Sequence, residues 1–317
     1  MTALSRAVLS MAPLALMAQS LSTAETLPMV IPGEIVANAP ASAWTNIDPA
    51  DLLILDLEAD PVGNPRRVVI QLMPPPVSAP WVQNVRMLAT AHWWDGLAVV
   101  RAQDNYVVQW GSTRTDRSPP NLQKTTQAEY TLPLEALLDR RSMAKGPDLR
   151  FEPPLTKRDV YAPATFLHGG WPYATDGKAV WPVHCYAMVG VGREMTPDAG
   201  SGMELYTVIG HAPRHLDRNV PLIGRIIEGI EHLSTLPRGK GDLGFYTPAQ
   251  IMPRITRIVL ASELPRSEQP RFQYLSTASA TFRNYAIAKT SRRDDFFSYQ
   301  PGAVDICNVP VPVRRIP

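Results

Sequence analysis

Residues 93–111 read WWDGLAVVRAQDNYVVQWG. Two short runs rich in valine, Leu97 to Val100 and Tyr106 to Trp110, flank a polar connection holding Gln103, Asp104 and Asn105. β-Branched and aromatic residues favour strands, so a strand pair is expected around that connection. Periodicity alone gives Arg101 and Gln109 no special status.

The same logic extends outward. Leu52 to Leu57 (LLILDL) is a dense apolar run bounded by Asp51 and Glu58, and Arg67 to Met73 (RVVIQLM) is a second. Asp60, Pro61, Gly63, Asn64 and Pro65 between them predict a hairpin with a longer loop. Ser78 stands before Pro80, a reasonable N-cap with proline in the first turn. Val82, Val85, Leu88 and Ala89 then recur at helical spacing. Tyr186 to Val189, Glu204 to Ile209, Val220 to Ile227 and Ile255 to Leu260 are expected strands. Glu228 to Leu236 is an expected helix stopped by Pro237. Many short strands with two distant helices predict an all-β barrel capped by helices, with a sandwich as the alternative from pattern alone.

Residues 112–180 are polar and weakly periodic, too long for a bare loop. They are read as an insertion with some order of its own, including a short helix over Pro133 to Met143. Residues 25–50 are read as a surface leader and 263–317 as a polar, proline-containing C-terminal extension. The 51–262 stretch is then the main domain.

The chain has 317 residues and a formal net charge of +2, from 31 basic and 29 acidic residues. That balance predicts no nucleic-acid partner. Proline, at 32 residues, is about twice its usual share, which favours short elements and ordered loop. Arg6, the apolar Ala7 to Ala18, and Ser22 and Ala24 before Glu25 predict an export signal over 1–24. That apolar stretch is too short to span a bilayer, with an uncleaved anchor as the other reading, and no other segment is long and apolar enough to cross one. Cys185 and Cys307 form an even pair, which in an oxidising compartment favours a disulfide, with two buried free thiols as the other reading. His211 and His215 have helical metal spacing, but Pro213 lies between them in an expected loop, so no metal site is expected. Trp93, Trp94, Trp110, Trp171 and Trp181 are expected packing residues.

Taken together, these pieces resemble a cyclophilin. Ala79-Pro80-Trp81-Val82-Gln83-Asn84-Val85 is similar to the family's APxxVxNF helix entry. Residues 93–111 resemble its Y-x-G-x-x-F-H-R-x-x-x-x-F-x-x-Q-G-G signature, with Arg101 on the arginine, Tyr106 on the aromatic, Gln109 on the glutamine and Gly111 on the second glycine. Ala187-Met188-Val189 resembles the S-M-A strand and Glu204-Leu205-Tyr206-Thr207 the S-Q-F-F-I strand. His215-Leu216-Asp217-Arg218-Asn219 with Leu222 to Gly229 resembles the closing W-L-D-x-x-x-x-x-F-G-x-V-x-x-G motif.

The resemblance implies a mainly β fold, a closed eight-stranded antiparallel barrel with two capping helices. It implies a peptidyl-prolyl cis–trans isomerase acting on proline-containing polypeptides, with Arg101 and Gln109 catalytic. Tyr106, Val107, Val189, Glu204, Tyr206, His215, Leu216 and Val220 would contact substrate. Neither cofactor nor metal is implied. Several positions depart from the family: Val100 for histidine, Val107 for methionine, Tyr106 and Tyr206 for phenylalanine, Glu204 for glutamine, His215 for tryptophan and Val220 for histidine. With the signal, the expectation is a monomeric periplasmic enzyme assisting the folding of exported proteins. The alternatives are a non-catalytic proline-peptide binding module or chaperone, and a structural envelope protein.

Overall fold

A computed structural model describes residues 31–111, 116, 118–138, 159–292 and 294–316. The export-signal reading therefore lies outside the described residues, as does part of the insertion. Fifteen strands occur among them: β1 Trp44–Ile47, β2 Leu52–Leu57, β3 Arg66–Leu72, β4 Val99–Ala102, β5 Val107–Gly111, β6 Leu132–Pro133, β7 Ala164–His168, β8 Trp171–Thr175, β9 Ala179–Pro182, β10 Met188–Val191, β11 Glu204–Val208, β12 Leu222–Glu228, β13 Ile255–Leu260, β14 Arg271–Leu275 and β15 Val313–Ile316.

Eight of them form one antiparallel sheet in the order β13-β2-β3-β12-β10-β11-β5-β4. These are the eight barrel strands the sequence predicts, with ends shifted by a few residues. The sheet closes on itself: Gly96 N–H donates to the Ile255 carbonyl at 2.9 Å, and Ile255 N–H to that of Leu97 at 2.8 Å. Closure removes the exposed edges an open sheet would leave.

The composition of β2 explains its layering. Side chains alternate between faces along a strand, so Leu53, Leu55 and Leu57 enter the barrel core. Leu52 and Ile54 point outward, yet both are fully buried. They are covered by Ile47, Leu264 and Phe272 in a second apolar layer. Ile47 and Phe272 belong to a three-stranded sheet in the order β1-β14-β15, and Leu264 to the link that leads into it. Residues read as a surface leader and a polar extension thus fold together as a lid over one barrel wall. Helix α1 (Pro32–Ala37) packs on the helix Ala280–Thr290, which is capped by Ser279 accepting from Phe282 N–H.

Helix α2 (Ala79–Thr90) buries Trp81, Val82, Val85, Leu88 and Ala89, the expected apolar face. Ser78 holds the N-cap position, but its backbone is left-handed (φ 49°) and its side chain makes no capping bond. Instead the helix is held by buried polar groups. Trp81 Nε1 donates to the carbonyls of Ala199 and Gly200, and Asn84 exchanges bonds with the backbone of Gln123 and Ser201. The second capping helix is a single turn, Glu231–Ser234. Strand β12 runs on to Glu228, and Gly229 then turns at φ +82° with a Cβ position 2.0 Å from the Arg67 carbonyl. A side-chain-bearing residue fits neither constraint, so the helix expected from Glu228 starts late.

The insertion is ordered where described. Strands β6, β9, β8 and β7 make a four-stranded sheet. The helix expected at Pro133 to Met143 is one turn, Leu134–Leu137, and 139–143 lie outside the described residues. Trp93, Trp94, Trp110, Trp171 and Trp181 are all buried. Cys185 and Cys307 form a disulfide across 122 residues of sequence. No described helix is long and apolar enough to cross a membrane.

Gly111 closes β5 at φ +86°, and a Cβ there would stand 2.3 Å from the Met203 carbonyl. Gly111→Ala is expected to lower stability by roughly 1–3 kcal/mol, the cost of a strained backbone, read as a lower urea midpoint. An unchanged midpoint would contradict this account of the turn.

Candidate active site

Arg101 lies on β4 directly across from Gln109 on β5, with a register shift just before it. The shift places both side chains on the outer face of the barrel wall. Arg101 is half-buried and held on several sides. Its Nε–H donates to the Leu243 carbonyl at 2.7 Å, Nη1 to Gln109 Oε1 at 3.3 Å, and Nη2 to Gln103 Oε1. The guanidinium carbon stands 5.6 Å from the centre of the Tyr106 ring and 5.3 Å from that of Phe245.

All these hydrogen-bond partners are neutral oxygens. Among the described residues no carboxylate pairs with Arg101, so its positive charge is uncompensated. Burial lowers its pKa, and the neighbouring Tyr106 opposes that. An arginine starts high enough to stay charged regardless. A guanidinium has five N–H donors, and three contacts leave two available.

Gln109 sits between Arg101 and Glu204. Its Nε2 donates to Glu204 Oε2 at 2.9 Å, which orients the amide and leaves one N–H for a further acceptor. Burial raises the Glu204 pKa above its ordinary value, the bond from Gln109 lowers it, and Glu194 and Asp198 add to the rise. A raised carboxyl favours the folded state at low pH and loses that advantage as pH climbs through the raised value. Glu204→Gln is therefore expected to melt higher than wild type at pH 8, on the order of 1 °C, with the gap closing toward pH 4. A variant that melts lower at both values would refute the assignment.

Beside this polar row lies an open groove of about 290 Å3, lined by Arg101, Tyr106, Val107, Gln109, Tyr206, Leu216 and Val220 among the expected site residues. Val107 and Tyr206 form an apolar floor, with Tyr106 and Val220 packed against it. Val191 to Met195 supply a wall that the sequence did not single out.

Three expected contacts are placed otherwise. Glu204 sits behind Gln109. His215 is exposed and stacks on the Tyr106 ring, centroids 6.1 Å apart. Val189 is fully buried in the barrel core, two residues before the groove-lining Val191 at the end of β10. Leu243 and Phe245, which hold Arg101 through a carbonyl and a ring respectively, come from a loop the sequence reading did not single out, and a carbonyl acceptor can belong to any residue. Among the described residues no cluster of three metal-ligating side chains occurs.

Beneath the floor, the Tyr206 hydroxyl is 2.8 Å from His184 Nε2, and His184 Nδ1 is 2.9 Å from Asp217 Oδ1. Asp217 Oδ2 accepts from Arg214 Nε at 2.6 Å, and Arg214 pairs with both oxygens of Asp159.

The family model described as cyclophilin type peptidyl-prolyl cis-trans isomerase/CLD matches residues 62–258. No curated protein matches the chain. Among solved structures, the cyclophilin AquaCyp293 from Hirschia baltica aligns with a TM-score of 0.61 at 18% identity, covering 86% of this chain and 93% of that one. A cyclophilin type peptidyl-prolyl cis-trans isomerase from Cryptosporidium parvum aligns at 11% identity over 66% of this chain and 97% of its own, with a TM-score of only 0.35. The barrel, the groove and the matched residues agree: the chain belongs to the cyclophilin-type peptidyl-prolyl cis–trans isomerases.

Proposed function

We propose that the groove holds an X–Pro segment of a polypeptide and that Arg101 accelerates rotation about its imide bond. The observation that carries this is the uncompensated guanidinium of Arg101, fixed beside an apolar floor. Amide resonance sets a barrier of about 18–20 kcal/mol, and the uncatalysed exchange takes tens to hundreds of seconds. At the twisted midpoint conjugation is lost and the imide nitrogen regains a lone pair. A cationic donor aimed at that nitrogen interacts with the twisted state more strongly than with either planar state. Only such a difference raises the rate.

The remaining roles follow from the geometry. Val107, Tyr206, Leu216 and Val220 receive the proline ring, which has no N–H of its own to satisfy. The spare N–H of Gln109 orients the substrate backbone. Neither a nucleophile nor a proton relay is needed, since no covalent bond is made or broken. A protease-coupled assay on a proline tetrapeptide tests the reading, and a rate equal to the uncatalysed one would reject it.

We place this activity in the periplasm, on exported polypeptides and without a stable partner chain. The disulfide Cys185–Cys307 supports an oxidising compartment, and the signal-like 1–24 stretch supports export. Fractionation of cells expressing the full chain tests the location.

A further inference from the structure

Tyrosine at position 206 poses a problem for an apolar pocket. A phenol O–H in the floor would present a polar group to the proline ring, and burying it unpaired would be costly. The structure answers with His184. Burial holds the His184 imidazole below its ordinary pKa against the pull of Asp217, so the ring is neutral. The Asp217 carboxylate can only accept, so the His184 proton lies on Nδ1 and Nε2 is the acceptor. The Tyr206 O–H must then donate to His184, away from the groove. Only ring carbon faces the floor.

The relay does not stop at Asp217. Asp217 Oδ1 also accepts the His184 backbone N–H at 3.0 Å. Arg214 bridges Asp217 to Asp159, with bonds of 2.6, 2.8 and 2.9 Å. Side-chain exposures along the chain of contacts are 1% for His184, 5% for Asp217, 4% for Arg214 and 3% for Asp159. Asp159 belongs to the insertion. The two carboxylates sit either side of one guanidinium, so each removes a cost the others would otherwise carry.

We propose that His184 is a positioning residue of the isomerase site, oriented by Asp217 and, through Arg214, by Asp159 of the insertion, and that it sets the ring of Tyr206 in the proline pocket. This rests on the groove being the site where proline is turned over. The insertion is then a buttress of the pocket. It touches the chemistry through four buried side chains, none of which meets substrate.

A double-mutant cycle tests it. His184→Leu is expected to lower kcat/KM for a proline tetrapeptide about 10-fold, the scale of a small misplacement of a substrate-contacting group. Asp159→Asn, at the far end of the relay, is expected to act in the same direction more weakly. In the Tyr206→Phe background, whose own rate serves as the reference, each substitution should cost less than about 2-fold, because no hydroxyl remains to be held. A purely structural role would lower activity equally in both backgrounds, and that result overturns the proposal, as does no loss in either. If His184→Leu does not fold by near-UV circular dichroism, Asp159→Asn carries the same cycle. Wild type and Arg101→Ala are measured alongside. Turnover that depends on Arg101 but not on His184 or Asp159 rejects this inference alone, whereas no turnover in wild type rejects both readings.

Discussion

Arg101→Ala is expected to lower kcat/KM for an X–Pro peptide by about 10²–10³, the usual cost of removing one fixed donor from a developing charge. The size follows from how Arg101 is held. Its Nε–H is tied to the Leu243 carbonyl and its Nη groups to Gln109 and Gln103, so the guanidinium is oriented before substrate arrives. No reorganisation is then required as the imide twists. The substituted residue is only half-buried, and its loss leaves amide and carbonyl oxygens that water can reach. Stability should therefore change little while the rate collapses. Arg101→Lys is expected to recover only part of the loss, because an ammonium keeps the charge but not the planar fork. A drop below 3-fold for Arg101→Ala, with the protein folded, would mean the rate comes from the groove's shape and not from this charge.

The second large effect is on stability. Removing the Cys185–Cys307 disulfide, by reductant or by serine at both positions, is expected to cost about 2–5 kcal/mol. The bridge closes 122 residues of chain, and restraint of the unfolded state grows with the length closed. It also fixes the segment that buries Ile306, Val309 and Val311 against the barrel. Urea unfolding with and without reductant measures the cost. Equal midpoints in the two conditions would show that packing of the C-terminal segment suffices alone.

The barrel was legible because its strands advertise themselves. Leu52 to Leu57 and Arg67 to Met73 are apolar enough to read as strands directly, and the order around Arg101 and Gln109 places the groove. Leu52 to Leu55 is apolar on both faces of its strand. A strand apolar on both faces must be covered on both, and the cover is the sheet formed by residues 44–47, 271–275 and 313–316. The first and last of those strands escape notice because Thr45-Asn46 and Arg314-Arg315 interrupt their apolar alternation, whereas RFQYL at 271–275 does alternate over its first four residues. Two arginines sit over aromatic rings, Arg314 over Trp44 and Arg315 over Phe272, where their stems count as apolar cover. The helix Ala280–Thr290 carried a usable signal in Ser279 as its cap.

The site was legible in part. Arg101, Tyr106, Val107, Gln109, Tyr206, Leu216 and Val220 meet at one groove, and alternation along β5 and β11 fixes the faces of Val107, Gln109 and Tyr206 among them. Val189 does not, because the groove meets β10 only at the strand's last residue, Val191. The relay behind Tyr206 depends on residues 159, 184 and 214–217 meeting across the fold. A tyrosine in an apolar floor does imply a buried acceptor, but only the fold says which.

The most direct test of the central claim is two-dimensional exchange spectroscopy on a proline tetrapeptide at equilibrium, with sub-stoichiometric protein. Wild type is expected to give cross-peaks linking the cis and trans forms, and Arg101→Ala to lose them while peptide resonances still shift on binding. Binding shifts without cross-peaks in wild type, or undiminished cross-peaks in the variant, would contradict it.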